Sequence, residues 1–546
     1  MRIAHAIALG ASVLIGATGC KNYLSGPSLG GNNPNSVQKL KDPTSLYVGL
    51  EAAQAANWTS QFSRFTSEYS QQIAGVARQQ AGYDEYVIGP GDDDGVFAAF
   101  WAGINEGGGG AADARTIQQY AATTNDSLFK GIAMVWEAMI IGEAASFWGA
   151  VPYSQAFQPA TYATPKYDDQ ITVFKEVETT LDSALIYLNC TTADVKKGST
   201  NIGPTGPVTS HVSRSAEVIY AGRAPKDLKA VYTAVAHTLK ARFYLDQVLV
   251  DPSNYAKALT EGQLGISTPQ DDFNWYANSA LVPNSWYAFQ GGRSGDIAMG
   301  SALVHLMKSR LLARLDSNVD RLNFYFTDGN GNSCVVMDTV IVGPDTTISM
   351  DNTALQPDKG CTGNRPGGNS VLPYGGGNNA FNVFNNGGSF QSPGVTFAET
   401  WLIVAEAALQ TGNAGLAQTA LNKVRANEAY GSDVLDAKTC GGECVFAAQN
   451  PVPATLRNII EEKYIDLFGT PEVFNDYKRT CLPWLAAAPT NASSAVTRAN
   501  IPGRYPYGLT SINADPNTPN VGPTALNANQ PSACPTLTYT STPAAW

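Results

Sequence analysis

Apolar residues return every three or four positions over most of the first 310 residues, which is the spacing of amphipathic helices and not of strands. The pattern predicts helices over Thr44–Gln80, over Phe97–Tyr120 with a break at Gly107–Gly110, and over Leu128–Phe147. It continues over Gln170–Leu188, Asp227–Leu249, Asn254–Glu261 and Ile297–Ser309. From Asp328 to Pro393 the periodicity lapses. Gly, Asn and Pro crowd that segment, and short β-branched runs such as Thr339–Val342 fit a small hairpin among loops.

The strongest periodic signal comes later, in TFAETWLIVAEAALQTGNAGLAQTALNKVRA. Trp401, Val404 and Ala405 fit the first helix of a tetratricopeptide repeat, and Ala417 with Leu421 fit its second. Small Ala405 and Ala417 let two antiparallel helices approach closely, Trp401 and Leu421 fill the groove beside them, and Thr411-Gly412-Asn413 makes the turn. Tyr232, Val235 and Ala236 repeat the opening spacing more faintly. Such units bury a core only by stacking on neighbours, so the other helices are expected to be degenerate copies.

The first nineteen residues change the picture of where the chain works. Arg2 precedes an apolar run from Ile3 to Ala17, too short for a membrane span, which needs about 20 apolar residues, and flanked like a secretory signal. The run ends in Thr18-Gly19-Cys20, which resembles a lipoprotein box, so Cys20 is the expected lipidation site and first mature residue. Residues 21–41 are rich in Gly, Pro, Asn and Ser, as a flexible tether should be.

Charged residues make up 15% of the chain, against about 25% in typical domains, while 52 Gly and 31 Pro imply long irregular connections. The formal charge of −11 repels phosphate backbones and argues against nucleic acid as a partner. Outside the cytoplasm disulfides persist. The CGGEC loop brings Cys440 close to Cys444, and Cys334 and Cys361 are neighbours, but spacing leaves the connectivity of the seven cysteines after Cys20 open. His211, His237 and His305 stand at no ligand spacing from them, so no metal or cofactor is expected.

Seven segments in order carry a family resemblance. They are NPNS at Asn33–Ser36, FWGAVPYSQAF from Phe147, PKYDD from Pro165, HTLKARFYL from His237, the repeat with AEAALQTGN and LNKVR, EEKYIDLFGTPEVFNDYKR from Glu461, and RYPYGLTSIN from Arg504. With them the chain resembles SusD/RagB proteins over nearly its whole length. The resemblance implies a mainly α, tetratricopeptide-like superhelix with long irregular loops and minor β-hairpins. It divides the chain into a signal (1–19), a tether (20–41) and one domain (42–546). In that domain the helical scaffold covers 42–310 and 396–480, a loop-rich insertion covers 311–395, and an irregular tail covers 481–546.

The resemblance further implies a surface lipoprotein of the outer membrane that captures oligosaccharide or peptide without chemistry and acts as a lid on a SusC-like TonB-dependent transporter. The residues agree that catalysis is not the expected role: HExxH and a phosphate-cradling Gly loop followed by Lys are both missing. Glu461 and Glu462 read as a solvated or ion-paired helix face, and Asp92, Asp93 and Asp94 as a loop surface. Aromatics in polar, turn-rich contexts supply the candidate ligand contacts, since sugar C–H faces stack on rings while hydroxyls need polar neighbours. They are Tyr83, Trp101, Trp275, Tyr276, Trp286 and Tyr287, with Arg293. A repeat scaffold for protein partners and a lipoprotein glycoside hydrolase are the alternatives.

Overall fold

The computed structural model describes residues 43–307 apart from 190–216, together with 389–427, 452–485 and 501–534, a few positions within these excepted. Cys20, the tether, the expected hairpin at Thr339–Val342 and the cysteines Cys334, Cys361, Cys440 and Cys444 lie outside the described residues. So does most of the 311–395 insertion.

The first long helical stretch is two helices, α1 (Thr44–Trp58) and α2 (Gln61–Tyr69), followed by a short strand β1 (Ile73–Gly75) and α3 (Arg78–Asp84). Side-chain hydroxyls make the break: Thr59 Oγ1 donates to the Ala55 carbonyl at 2.7 Å and Ser60 Oγ to that of Asn57 at 2.8 Å, which satisfies the end of α1. Gln71 then turns the chain out of α2 at φ 58°. The GPGDDDG stretch is not a loop either. It opens α4 (Pro90–Trp101), whose first turn Asp92 closes by accepting from the Gly89 N–H at 3.0 Å.

Three further helices, α5 (Ala111–Thr124), α6 (Ser127–Trp148) and α7 (Gln170–Leu188), follow the sequence pattern closely. Asp126 caps α6 through the Phe129 N–H (3.1 Å), and Asp169 caps α7 through that of Thr172 (3.0 Å). Between them β2 (Val151–Pro152) pairs with β3 (Tyr167–Asp168). Helix α6 is buried on nearly all sides and forms the axis of the fold. Its Gly142 lies against α8 (Pro225–Asp246): a Cβ there would meet the Phe243 ring at 2.2 Å, so only glycine permits this crossing.

Helix α8 turns into α9 (Asn254–Gly262), and after β4 (Phe273–Asn274) comes α10 (Ser285–Gly292). Residues 297–299, expected to start a helix, instead form β5 (Ile297–Met299), antiparallel to β1 with Ile73 opposite Met299. Gly300 explains the difference. A Cβ there would lie 2.2 Å from the Gln71 carbonyl oxygen, so the chain can hug residues 71–72, and the Gly300 N–H donates to Gln72 at 3.0 Å. Helical geometry appears in this stretch only at 302–303 and 306–307 among the described residues.

After β6 (Pro393–Val395), which pairs with β4, the expected repeat is present as the hairpin α11 (Phe397–Gln410) and α12 (Ala414–Asn427). Ala405, Ala417 and Leu421 are fully buried, Gly412 makes the turn at φ 83°, and the Trp401 indole lies at the edge under the Lys423 ammonium, 3.4 Å from its centroid. Helices α13 (Leu456–Asp466), α14 (Glu472–Thr480) and α15 (Leu509–Ala514) complete the described fold. The structure is thus mainly helical with three two-stranded sheets among the described residues, as the sequence pattern led one to expect.

Three of the sequence segments quoted for the family resemblance meet in one aromatic knot. Trp148 Nε1 donates to the Pro506 carbonyl (2.8 Å), Tyr507 OH to that of Ala150 (2.8 Å), and the rings of Phe147 and Phe474 stack with centroids 6.2 Å apart. A disulfide between Cys481 and Cys534 ties the tail to the end of α14, a pairing that spacing did not single out. Glu461 is not solvated: it is buried and bonded to Arg457 (2.6 Å), so the ion-paired alternative holds. No helix among the described residues is long and apolar enough to cross a membrane.

A buried acid pair gives the fold a pH signature. Glu217 Oε2 accepts from the hydroxyls of Tyr47 (2.7 Å) and Tyr232 (3.1 Å), and the Glu51 carboxylate accepts from the Val218 N–H at 3.3 Å. Burial raises the Glu51 carboxyl well above its usual 4.5, and Glu217 beside it adds to the rise. Because the folded pKa is raised, this contribution is complete below the ordinary carboxyl pKa and is lost as pH climbs through the raised value. Glu51→Gln, which mimics the protonated acid, should therefore lose less melting temperature than wild type between pH 5 and pH 9. Parallel profiles would contradict the assignment.

Candidate functional site

Segment 271–293 is pinned to the repeat hairpin before it reaches any surface. Asp272 Oδ1 accepts from the Phe397 N–H at 2.6 Å, and the Trp275 N–H donates to the Ser392 carbonyl at 2.7 Å. Asn284 then caps α10 by accepting from the Trp286 N–H (2.9 Å) while its amide donates to Ser392 Oγ (2.9 Å). Ser285 Oγ ties the start of α10 to the last turn of α1 through the Ala56 carbonyl (3.2 Å).

These anchors divide the aromatic candidates. Trp275 is a core residue: its indole is 2% exposed, stacks on Trp58 with centroids 5.0 Å apart, and meets Trp136 and Phe273 edge-on. It offers a ligand no free face. Tyr83 and Trp286 are also buried. The Tyr83 hydroxyl donates to Asp92 Oδ1 at 2.8 Å, and burial together with that carboxylate pushes its phenol upward. Trp101 is half-buried near β2, where Nε1 donates to the Pro152 carbonyl at 2.9 Å and its ring leans on Phe97.

What remains half-exposed is Tyr276, Tyr287 and Arg293. Tyr287 lies on α10, and Arg293 is the residue that closes it. The Arg293 guanidinium donates to Gln79 Oε1 at 2.9 Å and lies 3.6 Å from Asp296, a carboxylate that also holds Arg78 at 3.1 Å. Two residues absent from the sequence reading complete this shelf. Arg64 of α2 lies 4.1 Å from the centroid of the Phe289 ring, and 6.0 Å from that of Trp286. Phe289 follows Trp286 by one helical turn, which was a usable signal. Arg64 had none, because a cation in the polar string QFSRFTSEY reads as exposed, yet it is buried.

Beneath the shelf, Glu68 is wholly buried, and neither of its oxygens has a hydrogen-bond partner among the described residues. Burial raises its carboxyl well above the ordinary range, Asp84 reinforces the shift and Arg64 opposes it. The shelf's charged groups are Arg64, Arg78, Arg293 and Asp296. The half-exposed rings of Tyr276, Tyr287 and Phe289 can stack on an apolar ring face, and the half-exposed Arg293 guanidinium can bond to hydroxyls or carbonyls. No group of three or more His, Cys, Asp or Glu suited to a metal occurs among the described residues.

Comparison with known proteins agrees with this architecture. Residues 34–203 match the SusD-like family described as starch-binding and associating with the outer membrane. The chain superposes on a SusD/RagB family protein of Bacteroides thetaiotaomicron with a TM-score of 0.59 at 16% identity, covering 87% of this chain and 95% of that one. A SusD homolog of Bacteroides uniformis gives 0.61 at 15% identity, covering 90% and 100%. A chitin-binding protein gives 0.59 at 17% identity over the same shares. Identity this low establishes a shared fold. No curated protein sequence matches the chain.

Proposed function

We propose, starting from the assignment of this chain to the SusD/RagB nutrient-binding family, that it is a non-catalytic binding lipoprotein of the outer membrane. It captures an oligosaccharide, or a peptide of similar size, and passes it to a SusC-like TonB-dependent transporter. The observation that supports the reading is the shelf at α10, where Phe289 packs on Arg64 and the half-exposed Arg293 closes a helix that also carries the half-exposed Tyr287. Tyr276 precedes it on the same pinned segment. The starch-binding description of the family and the chitin-binding relative support a glycan as the first cargo to test.

The anchor is Cys20, acylated after removal of residues 1–19. Loss of metabolic acyl label in Cys20→Ser checks it, and retained label would refute it. At the shelf, one stacked ring contributes about 1 kcal/mol beyond its buried area. Tyr276→Ala and Tyr287→Ala should each weaken binding of maltoheptaose or chitohexaose several-fold in calorimetry, with an unchanged melting temperature. Wild-type affinity in both variants would remove the shelf from the account.

A further inference from the structure

One concavity of the molecule is lined by none of the aromatic candidates. Helices α5, α6 and α7 diverge around a cleft of about 580 Å³, inside the usual range for small-molecule sites of about 300–1,000 Å³. Its polar groups are already fixed. Glu137 of α6 accepts from Arg115 Nε at 2.7 Å, Gln118 Nε2 at 2.7 Å and the Tyr153 hydroxyl at 3.1 Å. Arg115 is held flat as well, its guanidinium carbon 5.1 Å from the Tyr153 ring centroid and 4.5 Å from that of Phe157. Such a network costs little ordering when a ligand arrives.

The charges in the cleft are balanced. Arg115 is matched by Glu137, and Lys130 spends one donor on the Tyr187 hydroxyl at 2.7 Å while Glu176 stands exposed at the rim. An anion would face two carboxylates and a cation two basic groups. A neutral ligand meets neither penalty. The oxygens of Gln118, Tyr153 and Thr180, whose own donors are spent within the protein, share the lining with apolar Met134 and Ala122, which suits a molecule that brings hydroxyl donors around a C–H face.

We propose that this cleft is a separate subsite for a neutral sugar unit, bound by hydrogen bonds where the α10 shelf binds by stacking. The proposal rests on the glycan reading above, and its test separates the two. Ala122 is exposed on α5, so Ala122→Trp fills the cleft at small cost to folding. Glu176→Ala removes a rim acceptor without touching the core. With the full chain and chitohexaose or maltoheptaose in calorimetry, Ala122→Trp should weaken binding at least five-fold and Glu176→Ala about two- to five-fold, at wild-type melting temperatures. If wild type binds and both cleft variants keep its affinity while Tyr287→Ala loses it, the subsite is wrong and the glycan reading stands. If Ala122→Trp melts early, Glu176→Ala decides. Binding of neither sugar by wild type overturns both, and stronger binding of an oligouronide than of either sugar overturns the neutral class.

Discussion

Replacing Arg242 by methionine is expected to cost about 3–5 kcal/mol, the loss typical of removing one partner from a buried ion pair. Arg242 is fully buried and its fork holds Glu399 through two bonds of 2.6 Å. It also donates to Glu143 and to the Gly394 carbonyl (3.1 Å), and lies 3.4 Å from Glu472. One side chain thus joins α8 to α6, β6, α11 and α14. Without it three carboxylates would remain in a dry interior. Their burial already raises the Glu143 and Glu399 carboxyls, so protonation relieves part of the penalty. The difference in melting temperature between wild type and Arg242→Met should therefore shrink as pH falls from 8 to 5. A constant difference, or one within 1 kcal/mol by denaturant titration, would contradict this role.

Trp275→Ala should be nearly as damaging, about 3–5 kcal/mol, because it empties a large volume in a close-packed aromatic cluster. Trp275→Phe should cost much less. It keeps most of the packing on Trp58, and the indole N–H it removes is buried without an acceptor among the described residues. Glycan affinity should survive in Trp275→Phe. An Ala variant with normal stability and lost binding would return Trp275 to the ligand site.

That pair of outcomes marks where sequence reasoning reached its limit. The α6 and α7 boundaries were legible because the apolar spacing starts where capping Asp126 and Asp169 begin the helices. The hairpin of α11 and α12 was legible because small Ala405 and Ala417 permit close approach. The strand at Ile297–Met299 was not. Three apolar residues followed by glycine fit either element, and the decision came from a distant partner, β1. The candidate aromatics suffered from the same blindness to distance: Trp275 and Tyr276 are adjacent in a polar segment, yet β4–β6 pairing turns one into the core and leaves the other half-exposed. Several motifs that carried the family resemblance proved to be core, namely the Trp148, Phe474 and Tyr507 knot, which explains why they marked the fold more surely than the ligand.

The measurement that bears most directly on the whole account is prolonged incubation of the purified chain with maltoheptaose and chitohexaose, combining calorimetry with mass spectrometry of the recovered sugar. The account predicts saturable binding of at least one, with dissociation between about micromolar and millimolar, equivalent to about 8 to 4 kcal/mol, and with every molecule recovered intact. Shortened products that vanish on substitution of a single carboxylate would contradict it and place the protein among the glycoside hydrolases.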